Sequence, residues 1–195
     1  MRRFIVIGHR ATTSGSFKLD DLCGGAGRLD VLLRCINSAF FLSHDIRRDV
    51  EMFLVLLGPP SPPKTLRFVG NELKYLNPDE RSTGALVRNA LMQKTSGEER
   101  SSPGIYISDR SYAELFSNVS KETNIVYLKE DGVDIRDVDF SGDVTFVLGD
   151  DQDLTPEEEK ALIAYQPDKV RLGPISYHAD HCITVVNNEL DRRIV

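Results

Sequence analysis

The chain lacks several features that would assign it quickly to a class of protein. It has three cysteines in 195 residues, an odd number with no C-x-x-C spacing. Neither a disulfide framework nor a cysteine-rich zinc site is indicated by this pattern. No apolar run approaches the roughly 20 residues that cross a bilayer, and the apolar part of the N-terminal segment is too short for a signal peptide. We expect a cytoplasmic protein with reduced thiols and no membrane contact.

Nucleotide-binding glycine motifs are also missing. The sequence contains neither a G-x-x-x-x-G-K pattern nor a G-x-G-x-x-G fingerprint, which disfavours triphosphates and Rossmann-bound dinucleotides as ligands. The net charge of −6 argues against generic binding of polyanions. Residues 1–50 nevertheless carry eight basic and five acidic side chains, whereas residues 129–168 carry three and thirteen. The N-terminal region is suited to face RNA, although both regions also fit ordinary solvated surfaces.

The apolar pattern predicts an α/β domain, with one domain over residues 1–195. Apolar runs closed by glycine at 3–8 and 52–58 suit buried strands, and a stripe of apolar residues at spacings of three and four within 28–41 suits a helix between them. Strands and helices alternate again in the second half. There, Thr155 and Glu158 form a capping box at the start of a helix.

Three segments interrupt this alternation. Residues 58–64 contain four prolines and are expected to form a stiff surface loop. Residues 64–77 carry Gly-Asn between alternating apolar residues, which predicts a small β-hairpin insertion. Residues 95–104 are polar and predict a linker that divides the chain into two halves.

Candidate ligand-binding positions follow from the ends of the predicted strands. In open α/β sheets, ligands collect at the carboxyl ends of strands, and a glycine there lets the main chain turn close to a ligand. Three strands of the second half end in this way, at Leu128, at Gly149, and at Leu172 with Gly173. Each of these ends is equally compatible with a simple turn.

The stretch "HADHC" near the C-terminus suggests a metal site at first sight. His178 lies three residues before His181 and four before Cys182, so that it shares a helical face with either of them. A zinc site requires three or four protein ligands, however, and His181 and Cys182 point about 100° apart on a helix. Cys182 belongs to the apolar stripe of this helix. It is interpreted either as a small core residue or as a wall of a ligand pocket.

A second cluster of polar residues lies near the start of the first predicted helix. Arg28, Asp30 and Arg34 fall off its apolar stripe, and Asp30 stands four residues before Arg34. A surface ion pair is one interpretation of this spacing. The other is a carboxylate held among arginines at the mouth of a polyanion site, where it would stay ionised and accept a hydrogen bond or a proton.

Four long blocks of the sequence carry a resemblance to a known family. The blocks "FIVIGHRATTSGSF", "GRLDVLLRCINSAFFLSHDIRRDV", "STGALVRNAL" and "LGPISYHADHCITVVNNELDRR" resemble the archaeal tRNA pseudouridine-54 N1-methyltransferases of the SPOUT superfamily. The likeness covers essentially the full length of the chain.

The resemblance implies a fold and a cofactor. SPOUT domains have a mostly parallel sheet flanked by helices and a C-terminal deep trefoil knot, here expected over about 124–195. The resemblance also implies a homodimer and a pocket for S-adenosylmethionine, which becomes S-adenosylhomocysteine. Residues expected to line that pocket by position are Leu128, Gly149, Leu172, Gly173, Pro174, Ile175, Ser176, Tyr177 and Cys182.

The implied reaction is methyl transfer to N1 of pseudouridine in the TΨC loop of tRNA. Related methyltransferases of rRNA pseudouridine carry an Arg-x-Asp element, which "RLD" matches, so that Arg28 and Asp30 are the expected catalytic residues. Asp30 is expected to hydrogen-bond or to deprotonate the base. Phosphate contacts are expected from Arg10, Arg28, Arg34, Arg47 and Arg48.

Three other functions remain open at this stage. The first is N1-methylation of pseudouridine in ribosomal RNA. The second is a non-catalytic RNA-binding or assembly module on the same fold. The third is a metal-dependent hydrolase that uses His178, His181 and Cys182, although the resemblance implies no metal.

Overall fold

A computed structural model describes residues 1–193 of the chain, in which eight strands form one sheet flanked by helices on both faces. The strands are β1 (Arg2–Gly8), β2 (Val50–Leu56), β3 (Lys64–Val69), β4 (Glu99–Ser102), β5 (Ile105–Ser108), β6 (Asn124–Asp134), β7 (Val144–Gly149) and β8 (Asp168–Arg171). The helices are α1 (Leu29–Phe40), α2 (Glu80–Leu91), α3 (Tyr112–Val119), α4 (Pro156–Ile163) and α5 (Ala179–Arg192). The α/β class and the mostly parallel sheet are confirmed.

The strand order is β4-β5-β3-β2-β1-β7-β6-β8. The five strands from β2 to β8 in this order are parallel, and β3, β5 and β4 add an antiparallel edge. The chain moves from β1 to β2 on one side and from β7 to β8 on the other side. Such a reversal of direction leaves a crevice at the carboxyl ends of the strands. The fold therefore places a ligand-binding crevice next to the ends of β1 and β7.

Two hydrophobic layers enclose the sheet. Helices α1, α2 and α5 pack on one face, against side chains such as Phe4 and Val6, while α3 and α4 pack on the other face, against Ile5 and Ile7. All four of these β1 side chains are fully buried. Burial on both faces explains why β1 is a continuous apolar run rather than an alternating one.

The predicted hairpin at 64–77 is wrong. Gly70 lies in a turn, as expected, but the residues after it form no strand. Strand β3 pairs instead with β2 and β5, which places Leu66 opposite Leu54 and Phe68 opposite Met52. The apolar alternation of this segment therefore serves the main sheet, because its partners lie far away in the sequence.

The predicted linker at 95–104 is wrong in part. Residues 99–102 form β4, the outermost strand of the sheet, which pairs with β5. An edge strand is held by backbone hydrogen bonds and needs no apolar side chains, so its polar composition resembles that of a loop. One sheet therefore runs through both halves of the chain. Among residues 1–193, no helix combines the length and the apolar character needed to cross a bilayer.

The second half of β6 and the residues that follow it wrap around β8, the last strand of the chain. Val170 of β8 pairs both with Leu128 and with Val133, so that β6 leaves β8 and returns to it. Gly132 marks the crossing, since a Cβ there would lie 2.5 Å from the nitrogen of Val170 and 2.6 Å from the carbonyl group of Lys169. Arg193, just after α5, donates to the carbonyl oxygens of Ile135 and Val138 at 2.6 Å. Residues 194–195 of the predicted knot region lie outside the described residues.

Replacing Gly132 with alanine tests this crossing. A methyl group would overlap backbone atoms that cannot rotate away, and we expect the free energy of unfolding in urea to fall by roughly 1–3 kcal/mol. Gly97 is the matched control, because no atom lies within 4 Å of a Cβ built there. Equal stability of Gly132→Ala and Gly97→Ala would show that the crossing is loose.

Candidate functional site

Two adjoining clefts lie beside the middle of β6 and the carboxyl ends of β7 and β8. The narrower one has a volume of about 50 Å³ and the wider one about 570 Å³. They share Leu128, Glu130, Ser176, Tyr177 and Cys182, and therefore form one continuous depression. Its size falls in the roughly 300–1,000 Å³ range of small-molecule sites.

Eight of the nine residues expected to contact the cofactor line this depression. Leu172, Gly173 and Ile175 lie in the narrow cleft and Gly149 in the wide cleft, together with the shared residues. Pro174 is exposed and lines neither cleft. Leu128, Gly149, Leu172 and Gly173 are thus brought together in space, although Leu128 lies within β6 rather than at its predicted end.

The segment 172–177 is the irregular connection from β8 to α5. Pro174 has no N–H to donate to a strand ladder, and α5 begins only at Ala179, after an N-cap residue, His178, that makes no side-chain cap. Its main-chain groups are consequently not used by a strand or a helix. Such groups are available to a ligand that presents both hydrogen-bond donors and acceptors.

Cys182 both packs against the core and lines both clefts. Burial raises the pKa of its thiol to about 11, and the nearby carboxylates of Glu130 and Asp180 act in the same direction. The thiol is therefore protonated at neutral pH and is a poor nucleophile. A wall of the pocket is the role that this geometry favours.

The two histidines beside Cys182 do not complete a metal site. Their rings stack edge to face with centroids 5.8 Å apart, and His181 is largely exposed. Within residues 1–193, no three His, Cys, Asp or Glu side chains are grouped so as to hold a metal ion. The hydrolase interpretation thus finds no support in the geometry.

A chain of alternating charges crosses the mouth of the wide cleft. Arg28 holds Asp30 with both Nε and Nη2, at 3.0 and 3.2 Å, and Arg34 donates to the same carboxylate at 3.0 Å. Arg28 also lies 3.4 Å from Asp151, which Arg10 contacts as well. The predicted pair of Asp30 and Arg34 is confirmed, and Arg10, Arg28 and Arg34 lie at one end of the sheet.

Asp30 is 7% exposed and lines an adjoining groove rather than the cleft itself. Burial alone would raise the pKa of its carboxyl group, but the hydrogen bonds from Arg28 and Arg34 outweigh burial and lower the pKa. A carboxylate with a lowered pKa accepts a proton weakly. Its geometry favours orientation of the arginines over proton abstraction.

Arg28 adopts an unusual backbone conformation at the start of α1. Its φ of 66° and ψ of 29° lie in the left-handed region, which costs a non-glycine residue about 1 kcal/mol or more. The residue immediately precedes the helix and aims its guanidinium at both Asp30 and Asp151. Strain of this kind persists where neighbouring contacts impose it.

Arg47 and Arg48 lie at the opposite end of the sheet, just before β2 begins. Arg47 donates to both oxygens of Asp191, and Arg48 donates to the carbonyl oxygens of Gly70 and Leu73. Because β1 and β2 are parallel, this end is remote from the cleft. Their positive charge serves the attachment of α5 and of a turn, and the structure does not bring them to the candidate site.

His9 was missed by the sequence analysis. It follows β1 directly, and its Nδ1 lies 2.8 Å from Asp150 Oδ1, while its Nε2 lies 3.0 Å from Glu158 Oε2. An ionised carboxylate only accepts hydrogen bonds, so both ring nitrogens donate and the imidazole is positively charged. The hydrogen bonds to Asp150 and Glu158 raise the pKa of His9 to about 10. Ligand-binding residues collect at strand ends, and this rule applied to "GHR" and "GDD" would have pointed to His9 and Asp150.

Comparisons with known proteins place the chain among RNA-modifying enzymes. A family model described as "Putative SAM-dependent RNA methyltransferase" matches residues 1–195. A tRNA (pseudouridine(54)-N(1))-methyltransferase of Methanocella arvoryzae is 55% identical over 195 residues, covering 99% of this chain and all of that protein. The enzyme of the same name from Methanococcoides burtonii is 48% identical over 198 residues, covering 100% of this chain and 98% of that protein.

Solved structures of low sequence identity share the fold. Nep1 of Archaeoglobus fulgidus, bound to S-adenosylhomocysteine, matches 87% of this chain and 73% of its own with a TM-score of 0.63 and 17% identity. The ribosomal RNA small subunit methyltransferase E of Neisseria gonorrhoeae, bound to S-adenosyl methionine, matches 99% and 66% with a TM-score of 0.51 and 11% identity.

The charge on His9 predicts a pH-dependent stability. Its pKa is about 10 in the folded protein and 6.5 in an ordinary environment, so its contribution is complete below about pH 6.5 and is lost as the pH rises towards 10. We expect the free energy of unfolding to decline over this range in wild type and to decline less in His9→Phe. Urea titrations at several pH values measure the difference, with the exposed His44→Gln as control. Parallel profiles for wild type and His9→Phe would contradict the assignment of the charge.

Proposed function

This chain belongs to the family of SAM-dependent RNA methyltransferases, and we propose that it methylates N1 of pseudouridine 54 in the TΨC loop of tRNA. One observation carries this proposal: the irregular segment 172–177, which we call the cradle, lines the same depression as Arg28 and Arg34, which stand at its mouth. The full-length identity to archaeal enzymes of that name supports the choice of substrate. A tRNA substrate supports a cytoplasmic location for the protein.

The cradle fits S-adenosylmethionine in shape and in charge. Main-chain groups of 172–177 suit the edge of adenine, while Leu128 and Ile175 offer apolar surfaces to its ring. The cofactor carries a positive sulfonium, a positive ammonium and a negative carboxylate group, and is positive overall. The wide cleft suits this overall charge, because its acidic side chains outnumber its arginines; these are Glu130, Asp150, Asp151, Asp153 and Asp180.

The reaction transfers the methyl group from the sulfonium of the cofactor to N1 of the base, which loses its proton. Arg28 reaches the cleft and is our candidate for direct contact with the base. Asp30 acts through Arg28, because both of its oxygens are engaged by arginines and it lies outside the cleft. The residues therefore contribute chiefly by holding donor and acceptor in line, and the cleft carboxylates supply acceptors for the proton.

Recognition of tRNA is assigned to the arginines at the mouth. Arg10 and Arg34 are exposed enough to meet phosphates, with side-chain exposures of 52% and 37%. Arg28, which lines the cleft, is expected to contact the RNA together with these two arginines. Arg47 and Arg48 lie at the far end of the sheet and are not part of this group. A base must leave its loop to reach a cleft of this depth.

We also propose that the C-terminal region is knotted and that the protein is a homodimer. The embrace of β8 by residues 128–138, with Gly132 at the crossing, supports a knotted C-terminal region. Ile175 and Tyr177, which line the clefts and are still 64% and 40% exposed, support a homodimer in which a second copy covers their outer surface. Sedimentation analysis showing a monomer at micromolar concentration would contradict the dimer.

Matched RNA substrates test the reaction. We expect methyl transfer to a tRNA that carries pseudouridine at position 54 and none to the same tRNA with uridine, because N1 of uridine is bonded to the ribose. Incorporation of labelled methyl groups measures this. Equal activity on both tRNAs would refute N1 methylation, and preference for a pseudouridine-containing rRNA fragment would transfer the activity to ribosomal RNA. Failure to bind S-adenosylmethionine would favour a non-catalytic module.

Cys182 tests the cradle. Cys182→Ser keeps a small side chain and is expected to bind S-adenosylhomocysteine within a few fold of wild type, whereas Cys182→Trp places a bulky ring where the two clefts meet and is expected to abolish binding. Thr184→Trp places the same bulk at an exposed position of α5 and serves as control. Calorimetry gives the affinities and circular dichroism the fold. A folded Cys182→Ser protein without binding would overturn the assignment.

Asp30 tests the positioning of Arg28. Asp30→Asn preserves the shape but removes the charge that holds two arginines, and we expect kcat to fall about 100-fold. Affinity for S-adenosylhomocysteine should stay unchanged, because Asp30 does not line the clefts. Asp20→Asn, an exposed acid nearby, is the control. If Asp30→Asn retains wild-type kcat, Arg28 does not depend on it.

A further inference from the structure

The buried cation at His9 joins three elements beside the cofactor cradle. His9 follows β1, Asp150 follows β7, and Glu158 lies in the first turn of α4. The side chains of Asp150 and Glu158 are only 1% and 4% exposed, and that of His9 is 10% exposed. Little water reaches these three side chains to compete for their hydrogen bonds. The arrangement therefore fixes the relative positions of the three elements.

The same cluster sets the conformation of the loop 149–153. Asp150 accepts from the main-chain nitrogen of His9 at 3.0 Å and from that of Gln152 at 3.2 Å, in addition to the imidazole. Gly149 permits this tight fold, because a Cβ there would lie 2.0 Å from the carbonyl oxygen of Gln152. All five loop residues line the wide cleft. The loop is therefore anchored chiefly through the carboxylate of Asp150.

Glu158 is shared between the cluster and the helix that carries it. Its Oε2 accepts from His9 and, at 2.8 Å, from the main-chain nitrogen of Thr155 in the capping box. Burial alone would raise the pKa of Glu158, but the hydrogen bonds from His9 and Thr155 outweigh it and lower the pKa. Glu158 is therefore ionised, and it presents a fixed negative charge to His9.

We propose that His9 is a positioning residue for cofactor binding, whose charged imidazole holds Asp150 and Glu158 and thereby keeps the loop 149–153 in the conformation that forms one wall of the cofactor site. This inference rests on the proposed function. His9 itself lines neither cleft, so it acts through Asp150.

The role requires a cation at this position. Without it, two carboxylates buried to more than nine-tenths would lose the charge that compensates them. Removing one partner of a buried ionic cluster leaves an uncompensated charge, which the structure relieves by moving. The loop is the part that can move, since Glu158 belongs to a helix. Movement of Asp150 also shifts Asp151, which contacts Arg28 across the cleft.

The test measures binding of S-adenosylhomocysteine by calorimetry in wild type, His9→Phe, His9→Gln and Arg67→Gln. Arg67 is a matched control, because it also bonds two carboxylates, Glu51 and Glu98, but lies on β3 away from both clefts. We expect affinity to fall about tenfold or more in His9→Phe and less in His9→Gln, whose neutral amide NH2 group can still donate a hydrogen bond. Arg67→Gln should lose stability without losing affinity.

Kinetics separate positioning from general destabilisation. In the His9 variants we expect KM for S-adenosylmethionine to rise by a larger factor than KM for tRNA, measured at a temperature where all variants are folded. Wild-type protein that binds no S-adenosylhomocysteine would overturn the proposed function and this inference with it. Folded His9→Gln and His9→Phe with wild-type affinity would overturn the inference alone, as would an equal loss of affinity in Arg67→Gln.

Discussion

The pairing of β1 with two parallel neighbours is the constraint on which the rest of the structure depends. Phe4, Ile5, Val6 and Ile7 are fully buried between the two helical layers, so the strand cannot shift its register without exposing one layer or the other. The register with β7 brings the end of β1 next to Gly149. The crevice, the cluster at His9 and the mouth of the cleft are all built at that point.

Acidic and basic side chains occupy different parts of the crevice. Five carboxylates line the wide cleft, and Arg28 and Arg34 lie at its mouth. Each arginine there is held by a carboxylate, which limits its motion while leaving other N–H groups to bind phosphate. Individual surface ion pairs contribute little to stability. The main effect of these ion pairs is therefore to orient the guanidinium groups.

The sequence predicted the buried strands and helices well because their apolar periodicity is local. It failed at 64–77 and at 99–102, where pairing partners from distant segments decide whether a polar or alternating stretch becomes a strand. Apolar periodicity does not reveal the cluster at His9, since Asp150 and Glu158 lie 141 and 149 residues away. Only the rule that ligands collect at strand ends would have pointed to His9 and Asp150. Likewise, the sequence grouped Arg47 and Arg48 with the other arginines of the N-terminal region. Only the direction of the strands reveals that these two lie at the opposite end of the sheet.

The left-handed backbone of Arg28 sets two selective pressures against each other. Glycine or asparagine would adopt this conformation with less strain, but neither supplies a guanidinium group. A library of variants screened for thermal stability alone is therefore expected to drift towards glycine or asparagine at this position. A library screened for methyl transfer is expected to keep arginine. Under the proposed role of Arg28, backbone stability and methyl transfer therefore favour different residues at position 28.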